Sequence, residues 1–302
     1  MNHDAPFRIA FCILCHKFTP VLAELVRRLD VPGNELFIHV DGKTPIDAFT
    51  PLAGRKNIHF TEPRTKIRWG GFGMVESTLR LFAATRNDDF GYIVLLSGDT
   101  LPLYPTEEIR ATLRAAYSDE RQFISTNPSV TPEEADWVRR RRFCPDKSTL
   151  ARRLKRIAMK CTMQRTNPYF DRLPPLQKGS QWIAVTDRMR DYIFDYLAAH
   201  PDYCRAFRYS HGADEIFFQT LAADSPFATR NTNLSPVYTD WSQAGAHPKT
   251  FTTDDLPRLS ALTTEEGEGY RPLFARKFDD GLDIARYRKI LFGEIPANND
   301  NE

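Results

Sequence analysis

The order of apolar segments in the first half of the chain restricts the fold more than any other feature. A continuous apolar run at residues 7–14 predicts a strand buried on both faces, and residues 92–96 predict another buried strand. Further strands are predicted at residues 35–40 and, as a short segment, at 57–60. Amphipathic segments predict helices at residues 19–29, 74–86 and 106–117. Residues 122–125 predict one more strand. This alternation is typical of an α/β fold with a mostly parallel central sheet and helices on both of its faces.

Two helices carry clear start signals. Thr19 is a favourable N-cap, and Pro20 suits the first helical position. The apolar residues that follow have helical spacing and predict one buried stripe, made of Val21, Leu22, Leu25, Val26 and Leu29. In the second half, a strand near residue 185 precedes a helix that we expect to start at Asp187, another good N-cap residue type.

Acidic residues follow two of the predicted strands. Asp41 comes directly after the second strand and Asp99 after the fourth. In open parallel sheets, ligands bind beyond the carboxyl ends of the strands, so both carboxylates are expected beside a ligand. The chain has neither a Gly-x-Gly-x-x-Gly turn after its first strand nor a Walker A lysine loop, which argues against a dinucleotide-dependent dehydrogenase and a P-loop NTPase.

Residues 209–221 contain the best candidate for a catalytic group. A glycine turn leads into an apolar run that predicts a helix, with Asp214 and Glu215 in its first turn. One buried face is predicted for Ile216, Phe217, Thr220 and Leu221. A carboxylate fixed in this way at a cleft is a suitable general base. The alternative interpretation is structural, because acidic residues at a helix N-terminus are stabilised by the macrodipole.

A polar turn before the second-half strand offers a sugar-binding surface. Trp182 can present a flat apolar ring to a sugar, with Gly179 and Ser180 supplying polar contacts beside it. The alternative is that Trp182 belongs to the core. Residues 67–73 are open to two similar interpretations, either a close backbone approach to a ligand or a tight loop.

Eleven arginines and lysines fall within residues 139–165, with a single acid among them. Such a segment suits an anionic acceptor or the anionic headgroups of a membrane, and the simplest alternative is a solvated insertion. The interpretations we favour are a peripheral acceptor and peripheral contact with an inner-membrane surface. No nucleic-acid partner is expected, because no reading motif accompanies the arginines.

The cysteines and the N-terminus bear on the compartment. The five cysteines have no disulfide-framework spacing, and Cys12 lies within an apolar run as a small hydrophobic residue would. The first residues have no basic region followed by a long apolar one. We therefore expect a cytoplasmic protein, peripheral to the inner membrane at most.

Seven short blocks in the same order and at similar spacing resemble the core-2/I-branching enzyme family, glycosyltransferase family 14, in the form of a soluble bacterial-type member. This family includes β-1,6-N-acetylglucosaminyltransferases and peptide O-xylosyltransferases. The blocks are Ile38-His39-Val40-Asp41, Trp69-Gly70-Gly71, Leu95-Leu96-Ser97-Gly98-Asp99, Gly179-Ser180-Gln181-Trp182, Asp214-Glu215, Asp240-Trp241-Ser242 and Phe274-Ala275-Arg276-Lys277-Phe278-Asp279.

The resemblance implies a modified GT-A nucleotide-sugar fold. One such domain is expected over residues 1–290, with a basic helical insertion at about 133–170 and a flexible polar tail at 291–302. Glu215 matches the catalytic base, and Asp41 and Asp99 are expected beside the nucleoside. The positions implied for the donor diphosphate are Lys249, Arg276 and Lys277. Those implied for the acceptor are Gly179, Ser180, Trp182, Asp214 and Trp241.

The expected reaction is an inverting transfer of N-acetylglucosamine or xylose from a UDP-sugar to a hydroxyl of a glycan or surface polysaccharide precursor. The chain has no Asp-x-Asp motif, so cationic side chains rather than a metal are expected to offset the diphosphate charge. No cofactor is expected, because the UDP-sugar is a substrate. Two alternatives stay open: a glycoside hydrolase that uses carboxylates such as Asp99 and Glu215, and a non-catalytic carbohydrate-binding protein.

Overall fold

A computed structural model describes residues 7–141, 166–243, 247–264 and 271–294 of the chain. The strands of these ranges are β1 (Ile9–Cys15), β2 (Asn34–Val40), β3 (Ile58–Phe60), β4 (Tyr92–Ser97), β5 (Thr100–Pro102), β6 (Ala184–Thr186), β7 (Val237–Thr239) and β8 (Phe274–Arg276). The α-helices are α1 (Pro20–Leu29), α2 (Gly73–Ala84), α3 (Thr106–Tyr117), α4 (Pro132–Arg139), α5 (Asp187–Ala199), α6 (Pro201–Phe207), α7 (Phe217–Ala223), α8 (Leu256–Thr264) and α9 (Ile284–Phe292). Short 3-10 helices occur at Ile46–Leu52, Thr85–Asn87, Phe170–Arg172, Ala213–Glu215, Ala228–Arg230 and Thr253–Asp255.

The main sheet has five strands in the order β3-β2-β1-β4-β6. Strands β1 to β4 pair in parallel, whereas β6 runs antiparallel to β4. All seven residues of β1 are buried, as expected for the central strand of a sheet covered on both faces. The predicted α/β class with a mostly parallel central sheet is confirmed.

Residues 122–125 do not form the further strand that the sequence predicts. Gln122 makes a single bridge with Asn231, and Phe123 makes a single bridge with Ala184 at the end of the sheet. The segment therefore meets the sheet edge at single bridges only, and the buried Gln122 side chain donates to the Thr186 hydroxyl of β6 at 3.0 Å.

A second, three-stranded sheet in the order β5-β8-β7 lies at the carboxyl end of β4. Strand β5 follows β4 after two residues, and it pairs antiparallel with β8 so that Thr100 lies opposite Arg276. This pairing brings the C-terminal part of the chain to the edge of the main sheet where ligands bind in α/β proteins.

The first helix forms as its boundary signals predict. The Thr19 hydroxyl accepts a hydrogen bond from the Leu22 amide at 3.1 Å, and Pro20 occupies the first helical position. The residues predicted for the apolar stripe are all buried: Val21, Leu22, Leu25, Val26 and Leu29. Cys12 is also fully buried in the core, as predicted for a small hydrophobic residue.

Two helix starts differ from the sequence prediction. Helix α5 is capped by Thr186, whose hydroxyl accepts from the Met189 amide at 3.3 Å, so Asp187 is its first helical residue and not its cap. Asp214 and Glu215 do not lie in the first turn of α7. They belong to the separate 3-10 turn Ala213–Glu215, because Gly212 enters it at φ 59° and Ile216 leaves it at φ −124°.

Two sequence predictions concern segments that lie wholly or mostly outside the described residues. Most of the basic segment, residues 142–165, lies outside the described residues, as does the polar tail from residue 295 onward. The membrane contact proposed for the basic segment therefore stays a prediction. No helix in the described ranges combines the length and the apolar character that a membrane span requires.

Candidate active site

A cleft of about 1640 Å³ opens at the carboxyl ends of β1, β2 and β4. Its floor is formed by the residues that end these strands, and its walls come from the turns before β6 and α7 and from the second sheet. The cleft brings together ten of the eleven predicted site residues, which are Asp41, Asp99, Gly179, Ser180, Trp182, Asp214, Glu215, Trp241, Arg276 and Lys277.

Lys249 is the exception. It is not among the residues that line the cleft, and its ammonium forms an ion pair with Asp255 in the turn before α8. The neighbouring Pro248 does line the cleft. The structure thus places Lys249 apart from the ten other predicted residues, and its assignment to a donor diphosphate stays a prediction.

Glu215 is held in the cleft by backbone contacts on both sides of its turn. The Gly179 amide donates to the Glu215 carbonyl oxygen at 2.9 Å, and the Gly212 amide donates to the Gly70 carbonyl oxygen at 2.8 Å. Gly179 has to be glycine here, since a Cβ atom at this position would lie 1.8 Å from the Ser125 carbonyl oxygen. The carboxylate thus sits on a turn whose position the surrounding loops determine.

Burial raises the pKa of Glu215 above its ordinary value, although the Lys178 ammonium, 3.5 Å from Oε2, acts in the opposite direction. Glu134 adds a smaller upward effect. A carboxyl group with a raised pKa is a stronger base than a solvent-exposed one when it is ionised, which suits proton abstraction. Burial, followed by the charge of Glu215, also raises the pKa of Asp214 to about 7.

Asp41 directly follows β2 and is held by the loop that faces it. Its Oδ1 accepts hydrogen bonds from the Lys43 amide at 2.9 Å and from the Ile67 amide at 3.3 Å. The Lys43 ammonium lies 3.2 Å from Oδ2. The buried carboxylate therefore fixes the residue 65–73 loop against the end of the strand and still borders the cleft.

Arg276 and Asp99 form one buried unit with Ser97. The Arg276 Nε donates to the Ser97 hydroxyl at 3.0 Å, and its Nη2 lies 3.4 Å from Asp99 Oδ1. Burial alone favours a higher pKa for Asp99, but the Arg276 charge and the Ser97 hydroxyl outweigh it and hold the pKa below its usual value. The Arg276 charge is therefore largely matched by Asp99 within the protein.

Trp182 is not the open platform that the sequence suggests. Only 6% of it is exposed, and the Arg276 guanidinium carbon lies 4.5 Å above its ring centroid. The cation covers the ring face that a sugar would need. Two other tryptophans of the cleft are open instead: Trp69 is 64% exposed and Trp241 is 56% exposed.

Lys277 lies on the same wall as Arg276 but in a different electrostatic setting. Arg276 and Lys249 each form an ion pair with an aspartate, whereas Lys277 forms no ion pair with the described residues. Its charge also contributes to the low pKa of Asp99. Within the described ranges, no group of three or more His, Cys, Asp or Glu side chains is placed to hold a metal ion.

Three cleft residues with chemically suitable side chains were not among the predicted site residues. Glu134 and Lys178 lie beside Glu215, and Trp69 projects from the glycine-rich loop with its ring edge-on to His211 at 5.6 Å. Lys178 directly precedes the Gly-Ser-x-Trp block, and Trp69 opens the Trp-Gly-Gly block, so position within a block was the available signal. Glu134 carried only a helix-capping signal.

The fold and the cleft define an α/β protein with a polar cleft beyond the carboxyl ends of its parallel strands, and the lining of this cleft includes the partly buried Glu215 carboxylate, Arg276 and Lys277. The family described as Core-2/I-Branching enzyme matches residues 9–265. Because this match covers most of the chain, the protein belongs to that family.

Two curated relatives share part of the sequence. The human and pig proteins named probable beta-1,3-galactosyl-O-glycosyl-glycoprotein beta-1,6-N-acetylglucosaminyltransferase 7 are 25% and 23% identical over 123 residues, which is 39% of this chain. The match spans 29% of the length of each relative. Among solved structures, the apo form of mouse xyloside xylosyltransferase 1 aligns with 88% of this chain and 97% of its own at 11% identity and a TM-score of 0.38.

Proposed function

We propose that the protein is an inverting glycosyltransferase that moves a sugar from a UDP-sugar to an acceptor hydroxyl, with Glu215 as the general base. The observation that carries the proposal is the position of Glu215, on a backbone-fixed turn in the cleft of a chain that belongs to the Core-2/I-Branching enzyme family. General-base assistance is typically worth about 10²–10⁴-fold in rate.

The proposed step is a direct displacement. The acceptor oxygen attacks the anomeric carbon while its proton passes to the Glu215 carboxylate. The bond between the anomeric carbon and the diphosphate oxygen breaks, and its electron pair leaves with UDP, so the sugar inverts. We assign Lys277 to the developing charge on the diphosphate, because its charge is not matched by an ion pair within the described residues.

N-acetylglucosamine and xylose are the sugars we propose for transfer, the first in line with the names of the curated relatives. The acceptor is a glycan, and the open rings of Trp69 and Trp241 offer apolar faces on which pyranose rings can stack. We further propose that the transfer needs no metal, since the chain has no Asp-x-Asp motif and the Lys277 ammonium at the cleft can offset charge on the diphosphate.

A glycoside hydrolase mechanism through Asp99 and Glu215 is the less favoured alternative. A hydrolase needs one carboxyl group that is protonated to act as general acid. With Glu215 as that acid, Asp99 would have to attack the sugar or activate a water molecule, but its carboxylate is bound by the Arg276 guanidinium and the Ser97 hydroxyl. The environment of Asp99 suits a structural or ligand-positioning role better than attack on a sugar.

The test compares Glu215→Gln with wild type, using UDP-sugar panels for turnover and titration calorimetry for UDP binding in EDTA and then in excess magnesium or manganese. We expect turnover to fall about 10²–10⁴-fold while UDP binds with unchanged affinity in every buffer. Glu133→Gln, at an exposed position of α4, is the matched control. Normal turnover by Glu215→Gln would contradict the role of the base, and metal-dependent UDP binding would contradict metal independence.

A further inference from the structure

Three charged side chains meet at the edge of the cleft: Glu134 from α4, Lys178 from the turn before β6, and Glu215. The Lys178 Nζ lies 2.7 Å from Glu134 Oε1 and 3.5 Å from Glu215 Oε2. We propose that Lys178 is a positioning residue that keeps Glu215 ionised and directed into the cleft. Glu134 is a second carboxylate bound to Lys178, and its negative charge weakens the stabilisation that Lys178 gives to ionised Glu215. The inference rests on the proposed role of Glu215 as general base.

The backbone fixes Lys178 relative to Glu215. Lys178 exchanges two hydrogen bonds with Asn127, at N···O distances of 2.7 and 3.0 Å, and the next residue, Gly179, donates to the Glu215 carbonyl oxygen. The Lys178 Nζ also lies 4.9 Å from the centroid of the Trp137 ring, which favours a cation at this point. The ammonium and the carboxylate are therefore carried by one hydrogen-bonded framework rather than by two independent loops.

Glu134 is fixed independently of Glu215. Thr131 and Glu134 form a capping box at the start of α4, in which the Thr131 amide donates to Glu134 Oε2 at 2.9 Å. The other carboxylate oxygen accepts from Lys178. This hydrogen bond from Lys178 holds the pKa of Glu134 below its ordinary value, so Glu134 keeps its negative charge across the neutral range. Lys178 is thus shared between two carboxylates.

The charged groups around Glu215 come from three parts of the fold. They are Lys178, Glu134 and the neighbouring Asp214, and His211 of the same loop packs edge-on against Trp137 at 5.3 Å. Lys178 favours the ionised form of Glu215, whereas Glu134 disfavours it. Removal of Lys178 and removal of the Glu134 charge therefore move the pKa of Glu215 in opposite directions.

The test measures kcat/KM against pH for Lys178→Met and Glu134→Gln. As the base must be ionised, activity is lost when the pH falls through the pKa of Glu215. We expect Lys178→Met to move this acidic limb up by about one pH unit and Glu134→Gln to move it down by about half a unit. Lys178→Arg, which keeps the charge, should restore the wild-type limb. A purely structural role of Lys178 would lower activity at all pH values without moving the limb, and that result would overturn the inference.

A second readout separates this inference from the proposed function. The Glu215 side-chain carboxyl is titrated by ¹³C NMR in the substrate-free protein, with its signal assigned by its loss in Glu215→Gln. If wild type transfers no sugar while the two variants still shift the Glu215 titration in opposite directions, the transferase proposal fails and the electrostatic role of Lys178 is supported. If wild type transfers sugar but neither variant shifts the titration, the role of Lys178 is refuted.

Discussion

Two lysines that sequence resemblance assigns to a donor diphosphate have different surroundings in the folded chain. Lys277 lines the cleft, whereas Lys249 is ion-paired with Asp255 outside its lining. A charge-assisted contact to phosphate is worth about 1.5–3 kcal/mol, which corresponds to roughly a 10- to 100-fold change in affinity. We therefore expect Lys277→Ala to raise the Kd for UDP by roughly that factor.

Lys249→Ala is the matched comparison for Lys277→Ala. Because Asp255 already balances its charge, we expect this change to alter the Kd for UDP by less than about threefold. Titration calorimetry of both variants at one ionic strength measures the difference. Equal losses in the two variants would mean that Lys249 leaves Asp255 and turns into the cleft when the nucleotide binds.

Gly179 has a structural role that its neighbours in the sequence do not reveal. A Cβ at this position would lie 1.8 Å from the Ser125 carbonyl oxygen, so Gly179→Ala must push two loops apart. We expect a loss of about 2 kcal/mol or more in the free energy of unfolding, together with lower turnover, because Gly179 also anchors the Glu215 turn.

Gly73→Ala is the control for Gly179→Ala. The nearest atom to a Cβ at Gly73 would be 3.5 Å away, an ordinary contact, and the residue starts helix α2. We expect a change within about 0.5 kcal/mol. Urea denaturation of both variants gives the comparison. A Gly179→Ala variant as stable as Gly73→Ala would show that the loop at Ser125 yields easily.

At the scale of elements, the sequence predicts what local signals determine. Helix α1 was predictable because the cap at Thr19, the proline at residue 20 and the apolar stripe all act within one helix. The break between the 3-10 turn Ala213–Glu215 and helix α7 was not predictable, because the apolar pattern continues through Ile216. The break depends on the left-handed conformation of Gly212, and the preceding His211 amide donates to the Trp137 carbonyl oxygen of α4.

The candidate site shows the same limit. The position of Glu215 and Asp41 in the cleft was predictable, because one follows a glycine turn and the other follows a strand. The covered face of Trp182 was not, because Arg276 reaches it from a strand of the second sheet. The pairing of Lys178 with Glu134 depends likewise on how α4 packs against the turn before β6. Partners that are distant in sequence leave no periodic pattern.

The cap of helix α5 provides a prediction at the element scale. The Thr186 hydroxyl accepts from the Met189 amide at 3.3 Å and from Gln122 Nε2 at 3.0 Å. Loss of an N-cap costs about 1 kcal/mol, and the buried amide of Gln122 loses a partner as well. We expect Thr186→Ala to lower the free energy of unfolding by about 1–2 kcal/mol in urea titrations.

Thr186→Ser keeps the hydroxyl and is the control. It should retain most of the wild-type stability, whereas the alanine variant should not. Asp187, which also has the residue type of a cap, is the first helical residue, and its carboxylate accepts from the Tyr117 hydroxyl at 3.2 Å. If Thr186→Ser lost as much stability as Thr186→Ala, the buried methyl group rather than the cap would account for the effect.

At the scale of the whole molecule, one buried carboxylate links the two ends of the described chain. Glu24 of α1 accepts hydrogen bonds from Arg27 and Arg28 of the same helix at 2.8 and 2.9 Å, and from Arg288 of α9 at 3.1 Å. Close by, the Tyr287 hydroxyl of α9 donates to the Pro102 carbonyl oxygen at 2.6 Å. Helix α9 is thereby fixed to α1 and to β5, the strand that pairs with the Arg276 strand β8.

This cluster predicts how stability depends on pH. Burial favours a higher pKa for Glu24, but the hydrogen bonds from Arg27, Arg288 and Arg28 outweigh it and lower the pKa from 4.5 to about 2. A carboxylate with a lowered pKa stabilises the fold above its unfolded pKa, and the effect is lost as the pH falls through its folded pKa. The shift corresponds to an effect on the order of 3 kcal/mol at neutral pH.

We therefore expect Glu24→Gln to lower the free energy of unfolding by about 3 kcal/mol at pH 7, because it leaves the arginines without a negative partner. The gap between wild type and variant should be roughly halved by pH 3, since wild type then loses the same contribution by protonation. Glu76→Gln, which breaks an exposed pair with Arg80, should cost less than about 0.5 kcal/mol at any pH. Urea titrations between pH 3 and 7 measure all three proteins, and a gap for Glu24→Gln that stayed constant over this range would show that packing, not charge, joins α9 to α1.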